Sequence, residues 1–195
     1  MEHPISLEIA DDLRRSRLTV AFRLLLALPH YFWLAGWTIA AAAAVSIQWL
    51  FLLAAGRPAR PLHRFVAAYL RYSTHLGAYL LLVANPFPRF RGRRGIYPAQ
   101  LILPEPGRQA RWRTALRIVL VLPAWVFSQV LDRTADIVAF FAWFVCILLG
   151  RMPKGMRDLN AYVLRYRQQT LAYVLLVTDG YPQLASAEHY LPEQP

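Results

Sequence analysis

The chain opens on a short alternation of apolar and polar positions, Ile5-Ser6-Leu7-Glu8-Ile9, and carries a counterpart at Leu101-Ile102-Leu103. Period two is the signature of a strand, so each predicts a brief extramembrane strand, and two such strands can pair with each other. A different pattern follows the first strand. From Leu24 to Gly56 there are thirty-three consecutive positions without an Asp, Glu, Lys or Arg, and about twenty apolar residues already cross a bilayer as a helix. A helix apolar all round finds little room inside a small water-soluble domain, which makes lipid the better solvent for it. After Gly56-Arg57, a segment from Leu62 to Val83 returns to helical spacing with His63, Arg64 and Arg71 among its apolar residues. The same sequence of patterns then starts again.

Slid along itself by ninety-four positions, the chain aligns without a gap. Pro29 falls on Pro123, Trp49 on Trp143, Gly56-Arg57 on Gly150-Arg151, Leu70-Arg71-Tyr72 on Leu164-Arg165-Tyr166, and Ala78-Tyr79 on Ala172-Tyr173. Shared Leu or Ala arises by chance in any apolar protein, whereas Trp, Pro, Gly-Arg and Arg-Tyr in one register do not. The chain is therefore read as two tandem units, 1–94 and 95–195, joined by the Pro/Arg/Gly-rich stretch 86–107.

Charge sets the expected topology. Basic residues cluster at 14–23, 57–71, 89–117 and 151–167, so both ends of each long apolar stretch are basic. If basic ends face the cytoplasm, each stretch must enter the membrane and return. In the second unit Asp132-Arg133-Thr134-Ala135-Asp136 interrupts the apolar run, and charges at mid-bilayer are expensive, which suggests a turn. The expectation is a mainly α, integral membrane fold with a helical hairpin in each unit. Its membrane helices lie near 18–36, 39–56, 112–131 and 137–150, with both termini cytoplasmic. A single tilted crossing from Tyr31 to Ala55 is the alternative. The third helix of each unit is expected to lie amphipathically in the cytoplasmic interface, its Arg heads snorkelling.

Composition agrees with a membrane class. Apolar residues make up 57% of the chain and charged residues 17%, against roughly 45–50% and about 25% in soluble domains. The net charge of +11 comes from twenty-two basic residues, twenty-one of them Arg, against eleven acids. Their placement at the ends of apolar segments suits membrane topology and anionic lipid, and argues against nucleic acid as a partner. Cys146 has no cysteine to pair with and is read as a small apolar residue. No cleavable signal peptide is evident, because Glu2, Glu8, Asp11 and Asp12 interrupt the first residues.

Three residue sets are candidates for chemistry. His30, His63 and His75 all sit in the first unit, opposite Ala124, Arg157 and Gln169, and none has metal-ligand spacing; they read as polar side chains near the interface. Asp132, Arg133 and Asp136 at membrane depth would suit an ion path, although Thr38, Ile39 and Ala42 in the first unit favour a turn. Arg23, Arg71, Tyr72 and Tyr79, repeated as Arg117, Arg165, Tyr166 and Tyr173, offer guanidinium forks and hydroxyls that suit a lipid head-group site, with interfacial anchoring as the plainer reading. No catalytic motif is present, and no cofactor or metal is implied.

Through Leu-Pro-His-Tyr at 28–31, Trp49 to Gly56-Arg57-Pro58, and Leu-Arg-Tyr to Ala-Tyr-Leu-Leu-Leu at 70–82, the chain resembles the bacterial membrane family catalogued as domain of unknown function 4389. The second unit repeats the pattern, departing at Ala124-Trp125 and Met152. The resemblance implies a bacterial inner-membrane location and brings no catalytic residues. The leading functional expectation is a non-catalytic scaffold or accessory subunit that packs against lipid or a larger membrane complex. A small transporter or channel built from tandem repeats is the alternative.

Overall fold

The computed structural model describes residues 3–184. In chain order it contains β1 (Ser6–Ile9), α1 (Arg17–Ala21), α2 (Arg23–Ala55), α3 (Arg60–Leu80), β2 (Ala99–Ile102), α4 (Arg111–Leu149) and α5 (Lys154–Val174). The helices repeat at this level: α1 and α2 together cover 17–55, which shifts onto the 111–149 of α4, and 60–80 of α3 shifts onto the 154–174 of α5. Only a break at Phe22 distinguishes the two long helices.

Each long helix is one continuous element, so the expected hairpins at 18–36/39–56 and 112–131/137–150 are not formed. The segment 132–136 is helical because nothing in it breaks a helix and its charges find partners sideways. Asp132 lies 3.8 Å from Arg167 on α5, Arg133 and Asp136 face each other at 3.8 Å one turn apart, and Thr134 donates to the Val130 carbonyl. Pro29 and Pro123 are accommodated within α2 and α4. Each long helix stops where glycine allows it: Gly56 and Gly150 sit in the left-handed region at φ 66° and 67°, donating to Leu52 and Cys146 carbonyls four residues back. Pro61 in the first turn of α3 and Pro153 at the N-cap of α5 then start the next helices.

The third helices are not peripheral, as an interfacial helix would be. Twelve of the twenty-one residues of α3 and eleven of the twenty-one of α5 are buried, so these two form the inner layer against which the long helices pack. They cross at Gly77, where an added Cβ would stand 2.8 Å from Leu164, and Ser73 donates to Gln168 across the crossing at 3.3 Å. The strands pair antiparallel with Leu7 opposite Leu101, each the other's repeat equivalent.

That pairing places a pseudo-two-fold axis between the units, and independent contacts obey it. Arg15 N–H donates to Gly150 O at 2.9 Å while Gln109 N–H donates to Gly56 O at 3.1 Å. Trp143 Nε1 donates to Val20 O at 2.8 Å while Trp49 Nε1 donates to Thr114 O at 3.1 Å. The end of each long helix therefore meets the beginning of the other, and α2 and α4 run antiparallel. Among the described residues, the buried apolar side chains form clusters beneath the strand pair and between α3 and α5, with a smaller one joining Val20 and Leu82 to Ala142, Cys146 and Met152.

Candidate functional site

The Arg/Tyr set separates into two arrangements. Arg23 is 2% exposed, stacked 4.3 Å over the Tyr79 ring and donating to the Tyr79 and Ala84 carbonyls where α3 ends. Arg117 does the same at the end of α5, 4.5 Å over Tyr173, with Nη1 2.6 Å from Tyr173 O and 2.9 Å from Thr178 O. The carbonyls at a helix C-terminus lack partners along the chain and carry partial negative charge, so a guanidinium there satisfies both needs. Arg23 and Arg117 thus latch the long helix of each unit to the end of its own third helix. The latches differ in one respect. Arg117 also reaches Gln109 Oε1 at 2.9 Å and Asp179 at 3.1 Å, whereas Arg15 and Asn85 occupy those places in the first unit, and Arg23 Nε and Nη2 have no hydrogen-bond partner.

Next to each latch the chain turns through a leucine with positive φ, Leu82 at 59° and Leu176 at 61°. An L-residue held there is strained, and both side chains are buried. Their carbonyls are held in turn: Arg15 Nη2 donates to Leu82 O at 3.1 Å, and Gln48 and Gln109 donate to Leu176 O at 3.2 and 3.0 Å.

Tyr72 and Arg71 leave the latch. The Tyr72 hydroxyl meets His30 Nδ1 at 2.7 Å, and the His30 ring stacks on Phe90 at 4.2 Å. In the second unit Tyr166 packs edge-on against Phe127, and Arg165 lies over the Tyr162 ring at 5.2 Å. All three histidines are buried rather than interfacial: His30 beside Tyr72, His63 with Nε2 3.3 Å from Val177 O, and His75 against Tyr97 at 4.7 Å. Burial, reinforced by Arg71, holds the His75 imidazole down at about 4. Among the described residues, no three His, Cys, Asp or Glu side chains converge into a metal-holding set.

Arg71 instead turns toward a pocket of about 590 Å³ at the start of α3, lined by Arg60, His63, Arg64 and Arg94 with Glu105 opposite. Neither composition nor spacing singled it out, because Arg94 and Glu105 come from the linker that the sequence reads as a connection. The only signal available was the density of arginine at 57–71 and 89–94.

Fold and contacts define a class: a helical protein made of two homologous units facing each other across a pseudo-two-fold axis, each contributing one long apolar helix. The chain belongs to the family described as domain of unknown function (DUF4389), whose model matches residues 17–91 and again 111–185, the two matches offset by the same ninety-four positions. No curated protein and no solved structure matches the chain.

Proposed function

We propose that this protein is integral to a membrane, with α2 and α4 embedded in hydrocarbon, and serves there as a non-catalytic scaffold or accessory subunit. One observation carries the reading: the outward face of α2 is apolar and open along its length, and that of α4 is apolar and open except at the exposed Arg133–Asp136 pair. Phe32 is 80% exposed, Ile39 74%, Ile118 76% and Leu148 72%. A core helix of a soluble protein would be mostly buried, yet in the most apolar windows of α2 and α4 only 22% and 28% of residues are. On α2 the buried positions form a single stripe through Arg23, Ala27, His30, Ala41, Ala44, Gln48 and Leu52, and nothing charged lies on the rest of the helix surface. Soluble monomers rarely expose an apolar surface of this extent.

Both long helices exceed what a bilayer requires. Thirty-three and thirty-nine residues measure about 50 and 58 Å at helical rise, against a hydrocarbon core of about 30 Å. Strong tilt or emergence of the ends into the head-group layer accommodates the excess, and arginines at both ends suit contact with anionic lipid. A larger membrane complex is the partner this reading implies.

Transport is the second reading, and the antiparallel relation of α2 and α4 favours it, since transporters are commonly built from repeats related by a two-fold axis. Alkaline extraction of membranes, followed by affinity purification in mild detergent, tests both. Stoichiometric partner proteins support the accessory role, a homo-oligomer that conducts solute in liposomes supports transport, and release into the aqueous fraction contradicts membrane integration altogether.

A further inference from the structure

We propose that the pocket at the start of α3 binds a phosphate-bearing anion, either a phospholipid head group or a free phosphate compound, through Arg60, Arg64, Arg71 and Arg94. These four arginines line a volume of about 590 Å³ together with one acid, Glu105. Among the described residues, none of the four forms an ion pair. Three of the four deeply buried arginines elsewhere meet a carboxylate, Arg15 with Asp11 at 3.0 Å, Arg117 with Asp179 at 3.1 Å and Arg157 with Asp158 at 2.7 Å, while Arg23 is held by the carbonyls at the end of α3. In the pocket Arg71 forms no ion pair among the described residues, and its Nε is buried without a hydrogen-bond partner. Burial and the neighbouring charge of Arg94 both lower the Arg71 pKa, the response of a cation held among cations. An anion seated between them reverses that repulsion and supplies the missing acceptor.

The duplication provides an internal control. Under the ninety-four-residue offset Arg60, Arg64 and Arg71 correspond to Lys154, Asp158 and Arg165, and Glu105 and Pro106 of the second unit correspond to Asp11 and Asp12 of the first. In α5 Asp158 already occupies Arg157, and Asp11 and Asp12 lie 3.0 and 4.0 Å from Arg15. Two copies of one element have thus diverged in charge at matching places: Arg64 of α3 is Asp158 in α5. Phosphate suits this lining better than a single carboxylate does, because its several oxygens accept from more than one planar fork at once. The first turn of α3 carries no acidic residue, so the positive end of the helix adds to the field.

The inference rests on these residues and not on membrane integration; a chain that proved soluble and still bound phosphate would sink the reading above and leave this one standing. The test uses the full-length protein stripped of anionic lipid and placed in phosphatidylcholine nanodiscs. Pyrophosphate is titrated by calorimetry, and in parallel the enrichment of phosphatidylglycerol over phosphatidylcholine is read by native mass spectrometry. Saturable pyrophosphate binding assigns a free phosphate compound, and enrichment of phosphatidylglycerol without pyrophosphate binding assigns a head group. Either response is expected to fall at least tenfold in Arg71→Gln and in Arg64→Asp, and to persist in Lys154→Gln. Arg64 is exposed, so its variant keeps the fold even if Arg71→Gln does not. Absence of both responses in the wild type, or equal responses in wild type and Arg64→Asp, would overturn the proposal.

Discussion

Arg23 and Arg117 show how one residue type serves two ends. The sequence marks them as a repeated Arg beside a repeated Tyr, and that pairing was legible: Arg23 meets Tyr79 and Arg117 meets Tyr173. What the pairing is for was not legible, because the acceptors are backbone carbonyls at the ends of α3 and α5, which no side-chain motif announces. Truncating Arg117 to Met strands two buried carbonyls and Asp179 together. Hydrogen bonds to charged groups contribute about 1.5–3 kcal/mol each, so a fall in Tm of several degrees is expected for Arg117→Met in thermal unfolding in detergent. Arg23→Met should cost less, since Arg23 engages no carboxylate. Equal Tm values for both variants and wild type would dissolve the latch. His75 makes a second prediction at this scale. Its pKa is held down at about 4 by burial and by Arg71, whereas the unfolded chain protonates near 6.5. Between those values only the unfolded chain takes up the proton, so stability is full above about pH 6.5 and declines as the pH falls toward 4, by about 3 kcal/mol at most. Comparison of unfolding midpoints across that range should show a shallower acid slope for His75→Gln than for wild type.

At the scale of elements, strands, helix ends and the third helices were legible, because each leaves a local mark: period two at 5–9, Gly-Arg at 56–57 and 150–151, helical spacing at 62–83. The hairpins do not form because charge alone does not break a helix. Asp132, Arg133 and Asp136 have no glycine or proline among them, and a helix that can place Asp132 beside Arg167 gains nothing by turning. Burial of the third helices was hidden for a related reason. Their arginines suggest an interface, but Arg157 lies buried beside Asp158, and Arg71 points into a cavity that the linker closes. Glycine at the helix ends gives the prediction proper to this scale. At φ 66° and 67° an L-residue costs roughly 1–2 kcal/mol, so Gly56→Ala and Gly150→Ala should each lower the unfolding midpoint, and by similar amounts since the two sites are repeat equivalents. A neutral effect at both would mean the long helices do not depend on those caps.

For the whole molecule, the duplication is what makes the architecture work. Each unit leaves the end of its long helix to be completed by the other, through Trp49 with Thr114 and Trp143 with Val20, and among the described residues each strand pairs with its repeat equivalent. Residues 1–94 and 95–195 expressed as separate chains in one cell should therefore co-purify, whereas independent recovery of two stable, non-associating halves would deny the pseudo-two-fold its structural role. The sequence revealed the repeat but not its symmetry, because a linear offset is silent on whether the copies stack or face each other. The account depends above all on hydrocarbon lying against the outer faces of α2 and α4. Spin labels at Phe32, Ile39 and Ile118, introduced as cysteines into a Cys146→Ala background in nanodiscs, address this directly. The account predicts high accessibility to oxygen and low accessibility to a water-soluble nickel chelate at all three; nickel accessibility comparable to that of a label at exposed Arg94 would contradict it.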